Sequence, residues 1–493
     1  MTRIEKNLLN TADRFPAHIA LTEWTGRDWR EITYRELIAK AQDFSKKLQA
    51  HSILSGERII LLSRNTIDAV VALLGIWLCG ATVVLIDPEL PEEVVVQQCK
   101  TADARFMMAE KNNYAIDHHL SRKSDEDTST DIAAIIFTSG TTGLDKAVML
   151  THENFLYLTQ FYSELSTPDG CVLTVLPLFH VAGLYCGILQ PLLIGVRVVF
   201  FNVMDASALS FAFQTYKPNV LIAVPRLLEV LDQKIQSVVR ARGKIASAIF
   251  KILLLMCFFS RRFLHINAGQ LLFKKIHQQF GGQLKKILCG SAPLSQQLQQ
   301  AFLTVGFDVF CSYGLTETCG PITLTHKKYP WKMGSVGPCV EKKDLTISEE
   351  GEIIYRGNAL MKGYFRDLAA TQSAIINGFF HTQDLGRLDR LGNVYVIGRI
   401  KELIIFSDGT KAMPSAIEAQ YANVAGMKEY AVFSVSREHH PIAVIAFVPD
   451  NVSNADLIRQ QLFQRASFLK SPYRISDVMS VAEIPRSNTL KVK

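Results

Sequence analysis

The segment Thr138-Ser-Gly-Thr-Thr-Gly-Leu-Asp-Lys146 has the composition of a site for phosphate groups. It follows the apolar run IAAIIF (132–137), which predicts a buried strand. Its two glycines let backbone N–H groups converge on an anion, its hydroxyls add donors, and its lysine supplies a point charge. It is not a Walker A loop, because no Gly-Lys-[Ser/Thr] occurs at the required spacing. Taken alone, such a cluster is also typical of a plain turn.

A second candidate segment, Cys311-Ser-Tyr-Gly-Leu-Thr-Glu317, follows the apolar run FDVF. We expect it to place an aromatic ring, a glycine, a hydroxyl and a carboxylate in one turn at the end of a strand. Such a site can stack a base and ligate a hard cation. The alternative is a strand-to-helix connection in which Thr316 or Glu317 caps the helix.

Four further positions are candidate site residues. Asp384 could accept hydrogens from two vicinal ribose hydroxyls, and the guanidinium of Arg399 could support the same sugar. Each alone would be an ordinary surface charge. Lys491 lies near the end of the chain, where a lysine is usually solvated. His180, in Pro177-Leu-Phe-His180, lies at the end of a predicted strand, where a lone histidine is usually structural.

Together and in this order, the motifs resemble those of the AMP-forming acyl-CoA synthetases of the adenylate-forming superfamily. The sequence is most similar to their long-chain fatty acid CoA ligase branch. The family's loop reads [ST]-[ST]-G-[ST]-T-G-x-P-K-G, and here Asp145 replaces the proline and Ala147 the glycine after the lysine. Gln383 replaces the glycine of the family's T-G-D. The resemblance implies an α/β protein with a large N-terminal multi-sheet domain and a small mobile α+β domain.

The resemblance also implies roles for individual residues. Lys491 would bridge the carboxylate and the α-phosphate, Thr316 would contact the α-phosphate, and Tyr313 would stack on adenine. Thr141 and Glu317 would bind magnesium, and Glu317, Thr316 and Lys491 form the catalytic set. His180 would gate the acyl pocket, and Lys401 would be the hinge between half-reactions. The implied nucleotide-binding positions are Thr138, Ser139, Gly140, Thr141, Thr142, Gly143, Lys146, Gly290, Ser291, Ala292, Ser312, Tyr313, Gly314, Asp384 and Arg399.

The activity implied by the resemblance is ATP-dependent activation of a carboxylic acid, with ATP, Mg²⁺ and coenzyme A as co-substrates and cofactor. A medium- or long-chain fatty acid would form an acyl-AMP with release of pyrophosphate, and the acyl group would pass to coenzyme A. Two alternatives stay open: an acyl-AMP ligase that loads an acyl carrier protein, and a catalytically impaired adenylate-binding protein, suggested by Asp145, Ala147 and Gln383. An unrelated phosphotransferase is disfavoured because Walker A and kinase motifs are lacking.

Short β-rich runs that alternate with helix-like segments must position these residues. They predict an α/β architecture with largely buried sheets. After Gly398 the pattern changes to a smaller unit, so we expect domains at 1–400 and 401–493. The predicted strands are the runs at 132–138, 171–177, 196–201, 219–225 and 284–290.

Composition excludes several classes of protein. The nine cysteines form no C-x-x-C pair, which argues against a zinc site or a disulfide framework and favours a reducing compartment. The first fifteen residues lack the apolar core of a secretory signal, so we expect a cytoplasmic protein. The net charge of +7 comes without a basic block interleaved with aromatics, so no nucleic-acid partner is expected.

Two apolar stretches have nearly the length of a membrane span. The first, 69–86, is divided at Gly80 and predicts a buried helix, a turn and a buried strand. The second, 245–259, is too short to span and has basic residues around it, which suits a helix at a membrane surface. A core helix with solvated ends fits the periodicity equally well, so the sequence leaves open whether this segment touches lipid.

Overall fold

A computed structural model describes residues 3–118, 129–138, 145–162, 165–201, 206–325, 332–341, 344–437 and 440–485. Within them the chain is a mixed α/β protein with several sheets, as predicted. It divides into two compact units. Unit 1 comprises Met1–Asp344, Tyr355–Phe380 and Leu391–Asn393, and unit 2 comprises Leu345–Ile354, His381–Arg390 and Val394–Lys493. The predicted boundary and hinge near Lys401 remain predictions.

The strands are numbered along the described chain. They are β1 Ile19–Trp24, β2 Trp29–Thr33, β3 Arg58–Leu62, β4 Thr82–Ile86, β5 Phe106–Ala109, β6 Asp117–His118, β7 Ile132–Thr138, β8 Lys146–Thr151, β9 Cys171–Thr174, β10 Arg197–Phe200, β11 Val220–Ala223, β12 Lys286–Cys289, β13 Asp308–Leu315, β14 Gly320–Leu324, β15 Leu345–Ile347, β16 Glu352–Tyr355, β17 Gly363–Tyr364, β18 Ile375–Ile376, β19 Phe379–Leu388, β20 Val394–Arg399, β21 Ile404–Ile405, β22 Lys411–Ala412, β23 Met427–Arg437, β24 His440–Pro449 and β25 Asp477–Ser480.

The α-helices are numbered in the same way. They are α1 Ile4–Arg14, α2 Tyr34–Ala50, α3 Ile67–Leu78, α4 Glu92–Ala102, α5 His152–Tyr162, α6 Gln190–Leu193, α7 Ala206–Tyr216, α8 Pro225–Ala241, α9 Lys244–Phe259, α10 Gly269–Leu272, α11 Lys274–Gln279, α12 Gln296–Val305, α13 Leu368–Ala374, α14 Pro414–Tyr421 and α15 Ala455–Ser467. A π-helical segment, Gly183–Leu189, precedes α6.

The larger sheet of unit 1 has the strand order β14-β13-β12-β11-β9-β10-β1-β2. Its six central strands run parallel, while β14 and β2 are antiparallel edges. All five predicted strands exist, as β7, β9, β10, β11 and β12. Because parallel strands end at the same edge of a sheet, the segments that follow β9 and β12 emerge at the edge where β13 also ends. The two segments carry His180 and Gly290, and Tyr313 lies in the last part of β13.

The other large sheet of unit 1 has the order β17-β8-β7-β4-β3-β5-β6. The predicted division of 69–86 is confirmed: α3 and β4 flank a turn in which Gly80 has φ +83°. Every residue of α3 from Ala69 to Trp77 is buried, which explains why its sequence is apolar on all sides. No described helix is long and apolar enough to cross a membrane.

Unit 2 contains a three-stranded sheet, β23-β24-β25, and the pair β21-β22. Its core packs Ile417 and Tyr421 of α14 and Ile458 and Leu462 of α15 against Phe447 of β24. This arrangement matches the compact α+β unit expected from the sequence.

The cysteine side chains are all unpaired, and none is exposed. Burial raises the pKa of each thiol above its usual value, to about 12 for Cys171, Cys186, Cys311 and Cys339. Burial also raises the pKa of the other five thiols, Cys79, Cys99, Cys257, Cys289 and Cys319. At neutral pH they are thiols and not thiolates.

Candidate active site

The predicted phosphate loop connects two antiparallel strands. Thr138, the last residue of β7, is the Cα partner of Lys146, the first residue of β8. The backbone pairing therefore holds the hydroxyl-bearing and the cationic ends of the loop side by side. Ser139, Gly140, Thr141, Thr142 and Gly143 lie outside the described residues. Asp145, which replaces the family's proline, accepts a 2.6 Å hydrogen bond from Nε2 of the buried Gln98 on α4.

The second motif is a strand and not the single turn that the sequence suggested. Residues 312–315 continue β13 and pair with β14, with Tyr313 opposite Thr323 and Gly314 opposite Pro321. The turn begins one residue later, as the 3₁₀ segment Thr316–Thr318. Thr316 and Glu317 are therefore presented from a tight turn at the strand end, half-buried, and no α-helix follows for them to cap.

A third segment, residues 361–365, fastens the two motifs to each other. The Met361 N–H donates to the carbonyl of Glu317 at 2.8 Å. Four residues on, the Phe365 N–H donates to the carbonyl of Ala147 at 2.7 Å, and β17 pairs with β8 in between. Backbone hydrogen bonds thus bring Lys146 and Glu317 together although they are far apart in the sequence.

The side chains at this junction form a continuous chain from cation to carboxylate. The Lys146 ammonium lies 4.7 Å from the centroid of the Tyr364 ring, and the Tyr364 hydroxyl donates to Oε1 of Glu317 at 3.0 Å. Burial, and secondly the Glu317 carboxylate, raise the pKa of Tyr364 well above its ordinary value, so this hydroxyl keeps its proton and remains a donor. The cation–π contact and the hydrogen bond restrict both charged side chains.

The predicted adenine-side residues meet at the carboxyl ends of β12 and β13. Cys289 and Cys311 are Cα partners, so Gly290-Ser291-Ala292 emerges beside Ser312. A Cβ on Gly290 would lie 2.8 Å from Oγ of Ser312, which is why glycine suits this close approach. Ser291 has φ +68°, which turns the chain sharply after the strand.

His180 follows β9 and starts the helical segment that continues to Leu189. Its N–H donates to the carbonyl of Pro177 at 3.1 Å, and the ring is half-buried. A Cβ on Gly183 would lie 2.0 Å from the Pro177 oxygen, so glycine is required for this tight turn. A Cβ on Gly320, at the start of β14, would lie 4.0 Å from Cγ2 of Val181, which places the His180 segment against the second motif. The gating role remains a prediction.

Unit 2 brings together the two residues predicted to hold a sugar. Asp384 and Arg399 are Cα partners on β19 and β20, and Nε of Arg399 lies 3.2 Å from Oδ1 of the buried Asp384. The preceding residue, Gln383, has φ +61°, the left-handed region where the family has glycine. Its N–H donates to Oε1 of Glu352 at 2.7 Å, which holds the strained backbone. Lys401 is exposed in a 3₁₀ turn, and Lys491 lies outside the described residues.

Three polar residues of the site were missed by the sequence reading: Gln98, Glu352 and Tyr364. Each acts on a predicted residue that is distant in the sequence, so spacing within a motif gives no signal for it. Tyr364 lies in a strand of two residues, too short for a periodic pattern. The sequence did contain a sign of two of these residues. Asp145 and Gln383 differ from the proline and glycine of the family motif, so each needs another residue to hold its backbone or side chain.

A magnesium ion could be held at Glu317. Among the described residues no group of three or more His, Cys, Asp or Glu side chains could hold a metal ion by itself. Mg²⁺ bound with a nucleotide needs only one or two carboxylates, because phosphate oxygens and waters complete its shell. The half-buried Glu317, close to the end of the phosphate loop, fits that requirement.

Comparison with known proteins supplies independent information. The sequence model of the family described as AMP-binding enzyme matches residues 8–365. Long chain acyl-CoA synthetase 3 of Arabidopsis thaliana is 28% identical over 356 residues, which cover 65% of this chain and 52% of the relative. The chain thus spans about half the length of that relative. A 2-succinylbenzoate–CoA ligase of Oceanobacillus iheyensis is 26% identical and aligns with 94% of this chain and 93% of its own.

The fold has solved counterparts. O-succinylbenzoate coenzyme A synthetase of Bacillus subtilis, in complex with ATP and a magnesium ion, superposes with a TM-score of 0.76 at 23% identity. The match covers 99% of this chain and 98% of that structure. At this identity the likeness shows the fold, including the large N-terminal and the smaller C-terminal part that the sequence predicted.

Proposed function

Because the chain belongs to the AMP-binding enzyme family, we propose that it is an adenylate-forming acyl-CoA ligase whose preferred acid is a medium- or long-chain fatty acid. ATP and coenzyme A are its co-substrates, and Mg²⁺ is its metal. The observation that carries the proposal is the junction of Lys146, Tyr364 and Glu317. It supports the proposal because it brings together a lysine ammonium and a carboxylate, groups that suit phosphate and a metal ion.

The chemistry begins with a carboxylate, which is a poor acylating agent because its leaving group would be oxide. One carboxylate oxygen attacks the α-phosphorus of ATP, the bond to the β-phosphate oxygen breaks, and pyrophosphate leaves. Thr138 and Lys146 hold the phosphate groups, and Tyr364 keeps Glu317 oriented as a ligand. The metal ion would neutralise phosphate charge during this displacement. Lys491 bridges the carboxylate and the α-phosphate.

The second half-reaction transfers the acyl group. A thiol of coenzyme A attacks the carbonyl carbon of the acyl-AMP, the C–O bond to the phosphate breaks, and AMP leaves. Asp384 and Arg399 hold the ribose in this proposal, Tyr313 and the segment Gly290–Ala292 hold adenine, and His180 separates the acyl pocket from the nucleotide. Rotation of the small domain about Lys401 withdraws Lys491 and opens a path for the thiol.

The choice of a fatty acid rests on sequence features and on one relative. Thr-Leu-Lys491, the string GRIKELIIFSDG (398–409) and the long segment between Arg226 and Gly290 are similar to the long-chain branch. The relative from Arabidopsis thaliana is named a long chain acyl-CoA synthetase. A second acid, 2-succinylbenzoate or a similar aromatic acid, is favoured by the ligase of Oceanobacillus iheyensis, because its alignment covers nearly the whole chain.

The test is pyrophosphate release from MgATP with saturated acids of increasing chain length and with 2-succinylbenzoate, each with and without coenzyme A. Release with long acids, stimulated by coenzyme A, supports the proposal, whereas release with 2-succinylbenzoate alone assigns the aromatic acid. Stimulation by holo carrier protein and not by coenzyme A would indicate a carrier-protein ligase. Nucleotide binding without release for any acid would overturn ligase activity and favour an impaired binding protein.

Matched variants separate the active site from general effects. Glu317→Gln and Lys491→Ala should each lower pyrophosphate release by about 100-fold or more, because each removes a charge that acts in the transition state. Glu93→Gln, an exposed carboxylate on α4, is the control and should release pyrophosphate like the unaltered protein.

A further inference from the structure

One helix of unit 1 exposes its most apolar face. In α9 the exposed apolar side chains recur at helical spacing as Ile245, Ile249, Ile252, Met256 and Phe259, with exposed fractions between 49% and 79%. The opposite side of the helix carries the buried Phe250 and Cys257. A surface helix normally turns its apolar stripe inward, so this outward stripe is the reverse of the usual arrangement.

The exposed apolar surface does not end with α9. It continues through the following loop and into α10. The additional side chains, exposed by 43% to 78%, are Phe263, Leu264, Ile266, Leu271 and Leu272. An exposed apolar surface of this extent marks an interaction site in a folded protein.

The helix is firmly attached to the rest of unit 1, so its exposure is not that of a detached segment. Arg261, just after α9, donates to the carbonyl of Leu303 at 2.8 Å and to Oδ1 of Asp308 at 2.6 Å. The ring of Phe250 packs edge-on against that of Phe273 at 5.3 Å. The buried side of α9 is therefore already occupied, and its outer stripe is left for another partner.

The charge around this stripe is predominantly positive. From Gln233 to Phe307 the sequence contains eleven lysines and arginines and no aspartate or glutamate. The rest of the chain has 42 basic and 46 acidic residues, so this segment alone accounts for the net positive charge of the protein. Arg240, Lys244 and Lys251 line one open groove of about 360 Å³ at the start of α9, and Arg262 is exposed at its end.

We propose that this surface, the α9 stripe with its basic groups, docks on a lipid bilayer that contains anionic lipids. The apolar side chains enter the acyl region, and the lysines and arginines contact lipid phosphates, as in helices that lie in the membrane interface. A helix of 16 residues is about 24 Å long, shorter than the hydrocarbon core, so it lies along the surface and does not cross it.

Charge argues for lipid over a second copy of the chain as the occupant. A symmetric dimer through this face would bring two predominantly positive surfaces together, which is unfavourable. An anionic membrane supplies both an apolar interior and the opposite charge. The proposal does not depend on which acid the active site takes.

The experiment is sedimentation of the protein with vesicles of phosphatidylcholine alone and of phosphatidylcholine with phosphatidylglycerol. Binding should occur with the anionic vesicles and weaken with added salt. Ile252→Glu places a charge in the stripe and should reduce binding by about tenfold or more, since a charged side chain disfavours insertion. Lys244→Glu should reduce binding to anionic vesicles while leaving the apolar stripe intact.

The control is Leu368→Glu, which places the same charge on an exposed apolar residue of α13, 70% exposed against 59% for Ile252. It should bind vesicles like the unaltered protein, and all variants should keep the same melting temperature because the changed side chains are exposed. The proposal is overturned if no vesicle binds, or if Ile252→Glu binds as well as Leu368→Glu. A dimer in sedimentation velocity that Ile252→Glu dissociates would also overturn it, because a second copy would then cover the stripe.

Discussion

We expect Tyr364 to act on the proposed active site through the orientation of Glu317. Its hydroxyl is the donor in a charge-assisted hydrogen bond, and its ring faces the ammonium of Lys146. Removing only the oxygen should leave the ring and the cation–π contact in place. The hydroxyl is therefore a positioning group, and its effect can be separated from that of the ring.

We expect Tyr364→Phe to lower kcat for pyrophosphate release by about ten- to a hundredfold, the range for losing a hydrogen bond to a charged group. The concentration of Mg²⁺ needed for half the maximal rate should rise as well, because Glu317 loses its orientation. Steady-state rates over a magnesium titration measure both. Tyr395→Phe is the matched control, since the Tyr395 hydroxyl donates to Asp389 at 3.5 Å and has no assigned role. Equal rates for both variants would contradict the positioning role.

Gln383 has a backbone conformation that disfavours every residue with a Cβ. With φ +61°, Gln383→Gly should be more stable than Gln383→Ala by about 1 kcal/mol. At Gln460, exposed in the interior of α15, the order should reverse, because alanine is favoured over glycine in a helix by about 1 kcal/mol. Urea unfolding of the four variants measures both differences. The same order at both positions would show that φ at 383 does not govern stability.

The sequence predicted charged and hydroxyl-bearing residues for the candidate site but not their partners. Motif spacing predicts Thr316, Glu317, Asp384 and Arg399 as site residues, and their roles stay predictions. The hydrogen bonds to Glu317 and Gln383 depend on Tyr364 and Glu352, which the fold brings close from other segments. Such pairings depend on tertiary structure, and local patterns carry no information about them.

Among the elements, β13 shows how a glycine can be required without a positive φ. A Cβ on Gly314 would lie 1.9 Å from the carbonyl oxygen of Gly320, so the backbones of β13 and β14 approach too closely for any side chain there. The pairing shifts register at the same position, between Tyr313 and Gly314. Gly314 therefore sets the path of the strand that leads to Thr316 and Glu317.

We expect Gly314→Ala to lower the free energy of unfolding by about 1–3 kcal/mol and to lower pyrophosphate release at the same time, because relieving the clash must move the strand. Thermal melting and the activity assay together test this. Glu317→Gln should instead lower activity with little change in melting temperature. A Gly314→Ala protein with unaltered melting temperature and activity would mean that β13 tolerates the extra carbon.

Strands β4, β7, β9, β10, β11 and β12 of the two large sheets were predicted, because their apolar runs are bounded by turn residues. The extension of β13 through Tyr313 was not. A run that contains serine, glycine and threonine indicates a turn, but pairing with β14 keeps it extended. Tertiary pairing thus overrode the local preference at the segment that carries the motif.

At the scale of the whole molecule, buried histidines make stability depend on pH. Burial lowers the pKa of His152 to about 3, with Arg3 acting in the same direction and Asp131 opposing it. Glu5, with Oε2 at 3.7 Å from Nδ1, also favours the charged form but does not offset burial. Nδ1 accepts the Ile4 N–H at 3.4 Å, which the neutral ring permits.

Since the folded pKa is lowered, the unfolded chain binds a proton that the folded chain does not between pH 6.5 and about 3. The contribution of His152 to stability is therefore fully present above pH 6.5 and is lost as the pH decreases towards the folded pKa. From pH 7 to pH 5 His152 should account for a loss of about 2 kcal/mol. Urea unfolding at both pH values should show a smaller loss for His152→Gln. Part of the slope should remain, because burial also lowers the pKa of His277. An unchanged slope would contradict the assignment.

Unit 2 is assembled from separate pieces of the chain. Besides Val394–Lys493 it takes in Leu345–Ile354 and His381–Arg390, while the predicted boundary near residue 400 stays a prediction. These two short pieces precede the change in sequence pattern after Gly398. They contact each other through the hydrogen bond from the Gln383 N–H to Glu352. Composition reports contiguous segments, so a unit assembled from separate pieces is not visible to it.

The burial of the cysteines has a practical consequence for spectroscopy. Because six native thiols are buried, the other three are half-buried and burial raises the pKa of all nine, a maleimide should react slowly with the unaltered protein. A cysteine introduced at the exposed position 249 would then be modified selectively without removal of the native ones. An environment-sensitive dye or a spin label attached there would report the polarity around α9 directly, in solution and in the presence of vesicles.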